Sequence, residues 1–309
     1  MNISKKHYKW VFFLLCIIFP LFFYGGPAYD SSRLLKELWN LGHFFYFGLF
    51  TLLFDNYLRA RRYSRFARVC LNICVLLFLG IAIELVQLSI AGRMFSWLDV
   101  IRDVSGGSVV LCWRMSFAAV SWKTRFLIVL GTGLMLLNLL PITIVAFDVY
   151  SVYKSFPLLS GFESRFELDR WLGDARLSRD DFVAIQGKYS VKIELTTKQY
   201  SGVSLHYFPG DWSGWNRLVF NVYNSGVPLE LHFRVHDNRH TGDNQQYDNR
   251  FNGSILLDNG WNKTSVPLVD ILNGPRGRQM DLTKIRGFGI FVIRQSESRT
   301  IYLDNVYLK

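Results

Sequence analysis

Long apolar runs separated by short basic loops fill the first half of the chain, and they stop near Pro157. A helix needs about 20 mostly apolar residues to cross a bilayer. Five runs approach or reach that length, at 10–24, 38–57, 69–91, 97–113 and 126–147. The pattern predicts an all-α bundle of about five transmembrane spans over residues 1–148, followed by a linker at 149–160.

The first of these runs is short, contains Pro20 and follows a lysine-rich start, so it has two interpretations. It is either a cleaved signal peptide or a retained anchor. The sequence Gly25-Gly26-Pro27-Ala28 after it is a poor cleavage site, which favours a retained span.

Charge is unevenly divided along the chain. The formal net charge of the whole chain is +11. The part up to Pro157 holds 16 Lys/Arg and 7 Asp/Glu, and the remainder holds 19 Lys/Arg and 17 Asp/Glu, so nearly all of the positive charge lies in the first part. The excess lies at the N-terminus and in loops 58–68 and 114–125, as expected of cytoplasmic segments. With five spans, the N-terminus is then cytoplasmic and residues 161–309 are periplasmic or extracellular, on a bacterial cytoplasmic membrane. The same distribution argues against a nucleic-acid partner.

The four cysteines give no sign of a disulfide framework or a thiolate metal site. Cys16, Cys70, Cys74 and Cys112 all lie in apolar runs, and the second half has none. Cys70 and Cys74 share a helix face, but a metal site needs more ligands than two thiols. We interpret all four as small buried apolar side chains.

Ionisable groups concentrate at one end of the predicted spans. They are costly in a bilayer and suggest function by default. By the predicted topology they face the outside together, and the set is His43, Tyr46, Glu84, Gln87, Arg93, Asp99 and Asp103. Three interpretations are open. The groups fasten the helices by pairing, Glu84 with Arg93 or Asp103 with the neighbours of Arg102; they bind a polar headgroup or glycolipid; or they serve transport or catalysis.

The same residues resemble the VanZ-like membrane family. The motif points are Gly42-His43-Phe44-Phe45-Tyr46, Glu84-Leu85-Val86-Gln87, Gly92-Arg93, Leu98-Asp99-Val100 and Asp103-Val104-Ser105-Gly106-Gly107, within about 8–147. Two positions depart: Asn40-Leu41-Gly42 replaces the usual charged residue, and Asp103 stands where the family has asparagine. The resemblance implies a cell-envelope role related to glycopeptide resistance, with no settled reaction.

The second half shows strict alternation of apolar and polar residues, the mark of half-buried strands. Leu229, Leu231, Phe233 and Val235 alternate with polar residues, and Asn224-Ser225-Gly226 is one of several turn signals between such runs. Short strands at regular spacing predict an all-β sandwich over residues 161–309.

Local strings in this half resemble the galactose-binding-like jelly rolls of carbohydrate-binding modules. They include Gly161-Phe162-Glu163, Gly260-Trp261-Asn262 and Tyr302-Leu303-Asp304-Asn305-Val306. The resemblance implies neighbouring first and last strands that hold a structural calcium ion, with Glu163 and Asp304 as the matching carboxylates. Calcium needs six to eight oxygens, and the sequence shows these two; no other cofactor is expected.

Sugar binding uses aromatic faces with polar neighbours. The predicted glycan-binding residues are Trp212, Tyr247, Arg234, Asp237, His240 and Arg250, with Tyr207, His236 and Asp243 as further candidates. Trp212 and Tyr247 stand in polar loops and are expected to be exposed, whereas Trp215 and Trp261 are expected in the core. His236 and His240 end a strand and need not converge on a metal.

No catalytic string is recognisable in the β half, since G-x-S-x-G is absent and no pair of acids stands out. The sequence therefore favours a non-enzymatic envelope protein. Its partners would be membrane lipid, a cell-surface polysaccharide or lipid-linked glycan, and other envelope proteins. Two alternatives stay open: a membrane-embedded enzyme or transporter acting on a lipid-linked substrate, and a scaffold of a polysaccharide export system.

Overall fold

The computed structural model describes residues 5–24, 26–27, 31–90, 93–116, 122–240 and 244–309. The chain forms two compact units, Met1–Val145 and Ala146–Lys309. The first is helical and the second is a β-sandwich, so the predicted combination of a helical first half and a β second half is confirmed.

Helices begin and end close to the predicted apolar runs. Capping explains two starts, because Ser32 Oγ accepts from Leu35 N at 3.2 Å and Ser64 Oγ accepts from Ala67 N at 3.2 Å. The helices are α1 Lys5–Ile18, α2 Arg33–Ala60, α3 Arg65–Gln87, α4 Trp97–Ser116, α5 Trp122–Ser155 and, in the second unit, α6 Leu268–Leu272; a 3₁₀ turn, Phe19–Phe22, follows α1.

Two of these helices, α3 and α5, are long and apolar enough to cross a membrane by length and composition. The helices α2 and α4 are also long, but both include ionisable residues. The five predicted spans therefore correspond to five helices, and whether each crosses a membrane stays a prediction.

The centre of the helical unit lies where α2, α3 and α4 meet. Phe47 and Leu76 are fully buried there. A Cβ on Gly106 would lie 2.0 Å from Phe44 O, so α4 approaches the backbone of α2 at a distance that only glycine permits. This close approach brings the polar residues of the two helices within reach of one another.

The second unit has two antiparallel sheets that enclose one apolar core. The first has the order β3-β4-β11-β6-β9, with β1 also paired to β11, and the second has the order β2-β5-β10-β7-β8. The strands are β1 Leu158–Ser160, β2 Trp171–Gly173, β3 Arg176–Asp180, β4 Ser190–Leu195, β5 Tyr200–Leu205, β6 Arg217–Asn224, β7 Leu229–Asp237, β8 Phe251–Leu257, β9 Gly260–Pro267, β10 Ile285–Ile293 and β11 Arg299–Leu308.

Alternation along the strands determines which side chains face the core. Leu229, Leu231, Phe233 and Val235 of β7 point inward, as predicted, and the residues between them face outward. The predicted linker at 149–160 differs from the structure, because α5 continues to Ser155 and β1 begins at Leu158. The 34-residue helix α5 therefore leaves little chain for a loop before β1.

Candidate functional sites

A histidine and a carboxylate meet inside the helical unit. His43 Nδ1 lies 2.9 Å from Asp103 Oδ1, and the two residues come from α2 and α4. His43 is 5% exposed and Asp103 is fully buried. The second oxygen of Asp103, Oδ2, has no hydrogen-bond partner.

Glu84 and Gln87 of α3 reach the same region. Glu84 is fully buried, and its Oε2 accepts from the backbone N–H of Ser96 at 2.7 Å. Its Oε1 has no partner. Gln87 Nε2 donates to Phe22 O at 2.9 Å, which ties α3 to the turn after α1.

Asp99 completes the group at the first turn of α4. One oxygen of Asp99 pairs with Arg102 Nη1. A ligand atom from each of His43, Glu84 and Asp99 lies within 4.8 Å of the other two. We refer to His43, Glu84, Asp99 and Asp103 as the His–carboxylate cluster.

Tyr46 and Arg93, the remaining predicted residues of this set, lie beside the cluster. The Tyr46 ring packs edge-on against Phe22 at 4.9 Å, and Phe22 also contacts the His43 ring at 4.7 Å. The Arg93 guanidinium lies against Gly26, since a Cβ there would fall 2.3 Å from Arg93 Nη2. The sequence prediction thus named residues that the fold brings together.

A second buried ionic group was missed at the sequence level. Asp55 of α2 is fully buried and binds Arg68 through two hydrogen bonds of 2.8 Å. Arg114 Nε lies 2.8 Å from Asp55 Oδ2 and its Nη2 donates to Asn56 Oδ1 at 2.6 Å. The sequence did contain a signal for this group: Asp55 lies inside one apolar run, and Arg68 and Arg114 lie at the ends of two neighbouring runs. Its complete pairing indicates a structural fastening.

The outer face of the β7-containing sheet carries the main polar feature of the second unit. Arg234 and His236 alternate with core residues of β7 and therefore point outward. Opposite them on β10 stand Gly289 and Gly287. These glycines lack side chains, so they form a low floor beside the two polar groups.

Other predicted residues converge on this floor. The rings of His236 and His240 lie 5.0 Å apart between centroids, so the two histidines lie close together, which the sequence did not require. Arg250 Cζ lies 5.5 Å from the centroid of the Tyr247 ring. We define the basic groove as Arg234, His236, His240, Arg250 and Tyr247, with the glycine floor.

Burial and mutual repulsion shape the electrostatics of the basic groove. Burial lowers the pKa of Arg234, and burial together with the charge of Arg234 lowers the pKa of Arg250. Burial, then His240 and Arg234, lowers the pKa of His236 to about 3. Burial, then Arg250, likewise lowers the pKa of His240. The imidazoles are therefore neutral and the guanidiniums are positive near neutral pH.

The two arginines of the basic groove lack acidic partners among the described residues. No described carboxylate forms an ion pair with Arg234 or Arg250. Arg250 Nε donates to Asn252 Oδ1 at 2.9 Å, and Arg234 Nη2 donates to Ser204 Oγ at 3.3 Å. Arg234 Nε is buried without a partner. Glu230 lies on the same face of the sheet, and its Oε1 is 3.9 Å from His232 Nε2.

Two predicted glycan-binding residues do not line the groove. Trp212 is fully buried, with Nε1 donating to Pro209 O at 3.1 Å, so the predicted exposure of Trp212 is wrong. Asp237 is fully buried and forms bonds of 2.6 and 2.9 Å with Arg278. Both side chains are structural.

The remaining aromatic and polar expectations have mixed outcomes. Trp215 is half-buried against the core, as expected. Trp261 is half-buried and packs against Tyr223 at 5.5 Å, outside that core. Asp243 lies outside the described residues, and the ring of Tyr207 lies 6.4 Å from that of His206.

Glu163 and Asp304, the predicted calcium ligands, fasten the loop between β3 and β4. Glu163 Oε1 accepts from the N–H groups of Lys188 and Tyr189 at 2.9 and 3.0 Å. Asp304 Oδ2 accepts from Ile185 and Gln186 at 2.8 and 3.1 Å. Burial raises the pKa of Asp304. Its Oδ1 is buried without a partner, and this orphaned oxygen fits a cation.

Comparison with known proteins gives two family matches. The VanZ/LLP1 family model matches residues 3–117, and the model for carbohydrate binding domain 30 matches residues 150–309. Among curated proteins none matches the chain.

Similar solved structures match the β unit. One is a family 11 carbohydrate-binding module from Clostridium thermocellum in complex with a β-1,3-1,4-mixed-linked tetrasaccharide (20% identity, TM-score 0.39, 49% of this chain and 93% of that chain). Another is an exo-β-agarase (19% identity, TM-score 0.40, 49% of this chain and 24% of that chain). A third is the CBM22-1 xylan-binding domain of Paenibacillus barcinonensis Xyn10C (18% identity, TM-score 0.32, 45% of this chain and 84% of that chain).

Proposed function

We propose that this protein is membrane-bound and that its β-sandwich binds an acidic cell-surface glycan. The chain belongs to the carbohydrate binding domain 30 family and also carries a VanZ/LLP1 domain. The observation that carries the proposal is the basic groove. It joins two guanidiniums, two neutral imidazoles and an exposed tyrosine on one sheet face.

The charge of the groove favours an anionic ligand. Arg234 and Arg250 stand close enough to lower the pKa of Arg250, and neither pairs with a described carboxylate. A carboxylate, sulfate or phosphate group on a saccharide would relieve that repulsion and satisfy the orphaned Arg234 Nε. Guanidinium groups match such anions with paired N–H donors.

Aromatic side chains supply the apolar part of a sugar contact. Tyr247 is 65% exposed, and Tyr200, the first residue of β5 in the β7-containing sheet, is 58% exposed. A sugar presents one apolar face of C–H groups, and an exposed aromatic ring can pack against it. We propose Tyr247 as the stacking residue, because it lies next to Arg250.

Glycan binding is tested with the full-length protein in detergent against a panel of uronate-, sulfate- and phosphate-bearing polysaccharides and neutral glucans. We expect retention on one or more acidic members that weakens as salt rises, since exposed charge interactions are screened. Retention on neutral glucans alone would remove the acidic part of the proposal. No retention by a folded protein would remove the whole.

Exposed apolar side chains on the helices support membrane residence. Phe78 of α3 is 71% exposed, and Val129 and Leu137 of α5 are 70% and 66% exposed. Apolar surface of this kind marks contact with lipid or protein. We propose that all five helices cross the membrane, with the N-terminus cytoplasmic and the β unit outside. A reporter active only outside the cytoplasm, fused after Lys309, should be active; activity of a cytoplasmic reporter alone would contradict this.

We also propose a structural calcium ion at Glu163 and Asp304. The orphaned Asp304 Oδ1 supports it. When bound, the ion would neutralise the buried carboxylate, and the two residues would continue to hold the loop through their backbone N–H bonds.

A second candidate function is enzymatic or transport activity in the helical unit on a lipid-linked substrate. The His–carboxylate cluster favours it, because uncompensated buried acids are costly and indicate function. Glu84→Gln and Asp99→Asn should then abolish envelope function in cells at unchanged protein level. A fall in protein level instead would favour a structural role.

A further inference from the structure

The His–carboxylate cluster has the composition and geometry of a metal site. A ligand atom from each of His43, Glu84 and Asp99 lies within 4.8 Å of the other two. Three atoms at such separations can close around one ion, because bonds from zinc to nitrogen or carboxylate oxygen are about 2.0–2.2 Å. We propose that the cluster binds a divalent transition-metal ion of the zinc class.

An unpartnered buried oxygen points independently to a bound cation. Glu84 is fully buried, and its Oε1 has no hydrogen-bond partner. A buried carboxylate that is incompletely paired is destabilising. A cation held between Glu84, His43 and Asp99 removes that cost.

The orientation of His43 agrees with a ligand role. Its Nδ1 is engaged by Asp103 at 2.9 Å, which leaves Nε2 as the atom that can bind a metal. Metal-binding histidines commonly donate their other ring N–H to a carboxylate, which holds the ring in place. Asp103 is therefore a positioning residue, and His43, Glu84 and Asp99 are the ligands.

The charge balance also permits a cation. Arg102 pairs with one oxygen of Asp99, and the charge of Arg93 acts on Glu84. The three carboxylates of the cluster, Glu84, Asp99 and Asp103, therefore outnumber the two guanidiniums beside them. The Oε1 atom of Glu84 has no hydrogen-bond partner among the described residues.

The mixed ligand set selects the class of metal. Calcium and magnesium prefer oxygen ligands alone, whereas imidazole with carboxylates suits zinc and its neighbours in the first transition row. Three protein ligands leave a coordination position for water or for an anionic oxygen of a ligand. This inference does not depend on glycan binding by the β unit.

The test uses the full-length protein in detergent, stripped with a chelator, reloaded with Zn²⁺, desalted and analysed by elemental mass spectrometry. We expect one zinc ion per chain at micromolar affinity or tighter, and a Co²⁺-substituted protein with visible absorption typical of nitrogen and oxygen ligands. Retention of Mn²⁺ in place of zinc also supports the site.

Variants locate the ion. Glu84→Gln and Asp99→Asn should weaken binding at least tenfold, and Asp99 is the safer of the two because its side chain is 18% exposed. Glu37→Gln, on α2 with His43, is the matched acidic control, and His236→Gln removes a histidine of the basic groove. Both controls should keep the ion. Wild-type protein without a bound ion, unchanged binding in Asp99→Asn, or loss in His236→Gln overturns the proposal.

Discussion

Gly287 lies opposite His236 across the pairing of β10 and β7, and a Cβ on Gly287 would fall 2.2 Å from His236 Cε1. The imidazole therefore occupies space above a residue that must lack a side chain. Two pairs further along the same strands, a Cβ on Gly289 would lie 2.5 Å from Ser204 Oγ and 3.1 Å from Arg234 Nε. The shape of the basic groove depends on these glycines.

Gly287→Ala should displace His236 and weaken glycan binding. The inserted methyl group overpacks the floor, and overpacking costs about 1–3 kcal/mol. Titration calorimetry measures the affinity and thermal unfolding measures the stability. Gly214→Ala is the control, because a Cβ there meets nothing within 4 Å. Equal affinity of the Gly287→Ala protein and the wild type would show that the floor does not contribute to binding.

Trp212→Ala should destabilise the β unit, and Tyr247→Ala should weaken binding alone. Trp212 is fully buried, and removal of a buried tryptophan costs about 3–5 kcal/mol. Tyr247 is 65% exposed; an aromatic contact is worth about 0.5–1.5 kcal/mol, or up to about tenfold in affinity. Denaturant unfolding and glycan titration of both variants separate the effects. A destabilised Tyr247→Ala protein would argue against its role in stacking.

Acidification should destabilise the β unit through His236. Its pKa falls from 6.5 to about 3 on folding, so between these values the unfolded chain binds a proton that the folded chain does not. Stability is fully present above 6.5 and is lost as the pH falls toward 3. His236→Asn should flatten this part of the profile of unfolding free energy against pH. An equal slope in both proteins would contradict the assignment.

Calcium should raise the unfolding temperature of the protein, and a chelator should lower it. A ligand that binds only the folded state stabilises by about 2.7 kcal/mol at a hundredfold excess over its Kd. Asp304→Asn should remove the response, since its orphaned Oδ1 is the oxygen that fits the ion. Magnesium, which demands a smaller and more regular site, is the control. No shift with calcium would leave Asp304 as a loop fastener only.

Features that repeat along the chain were predictable from sequence. The alternation through Leu231 and Phe233 identified β7, and the apolar run at 126–147 identified α5, although the helix extends further at both ends. The same alternation placed Arg234 on the outer face of the sheet. Local patterns suffice here because each element buries one face.

Long-range contacts explain the errors. Trp212 stands in a polar loop, yet its backbone N–H donates to Leu282 O at 2.8 Å and its indole ring is fully buried. Asp237 pairs with Arg278, which lies 41 residues further along the chain. The turn after β7 brings His240 back over His236. None of these contacts leaves a periodic signal.

The acidic-glycan proposal is tested most directly by titration calorimetry of the full-length protein with two ligands. One is an acidic oligosaccharide, and the other is its neutral counterpart, in which the carboxyl groups are reduced or the sulfates removed. We predict binding of the acidic form only, weakened about 10–100-fold by Arg234→Met or Arg250→Met, because a hydrogen bond to a charged group contributes about 1.5–3 kcal/mol. Arg217→Met, on the opposite sheet, should bind like the wild type. Equal affinity for both oligosaccharides, or unchanged binding in both groove variants, would contradict the account.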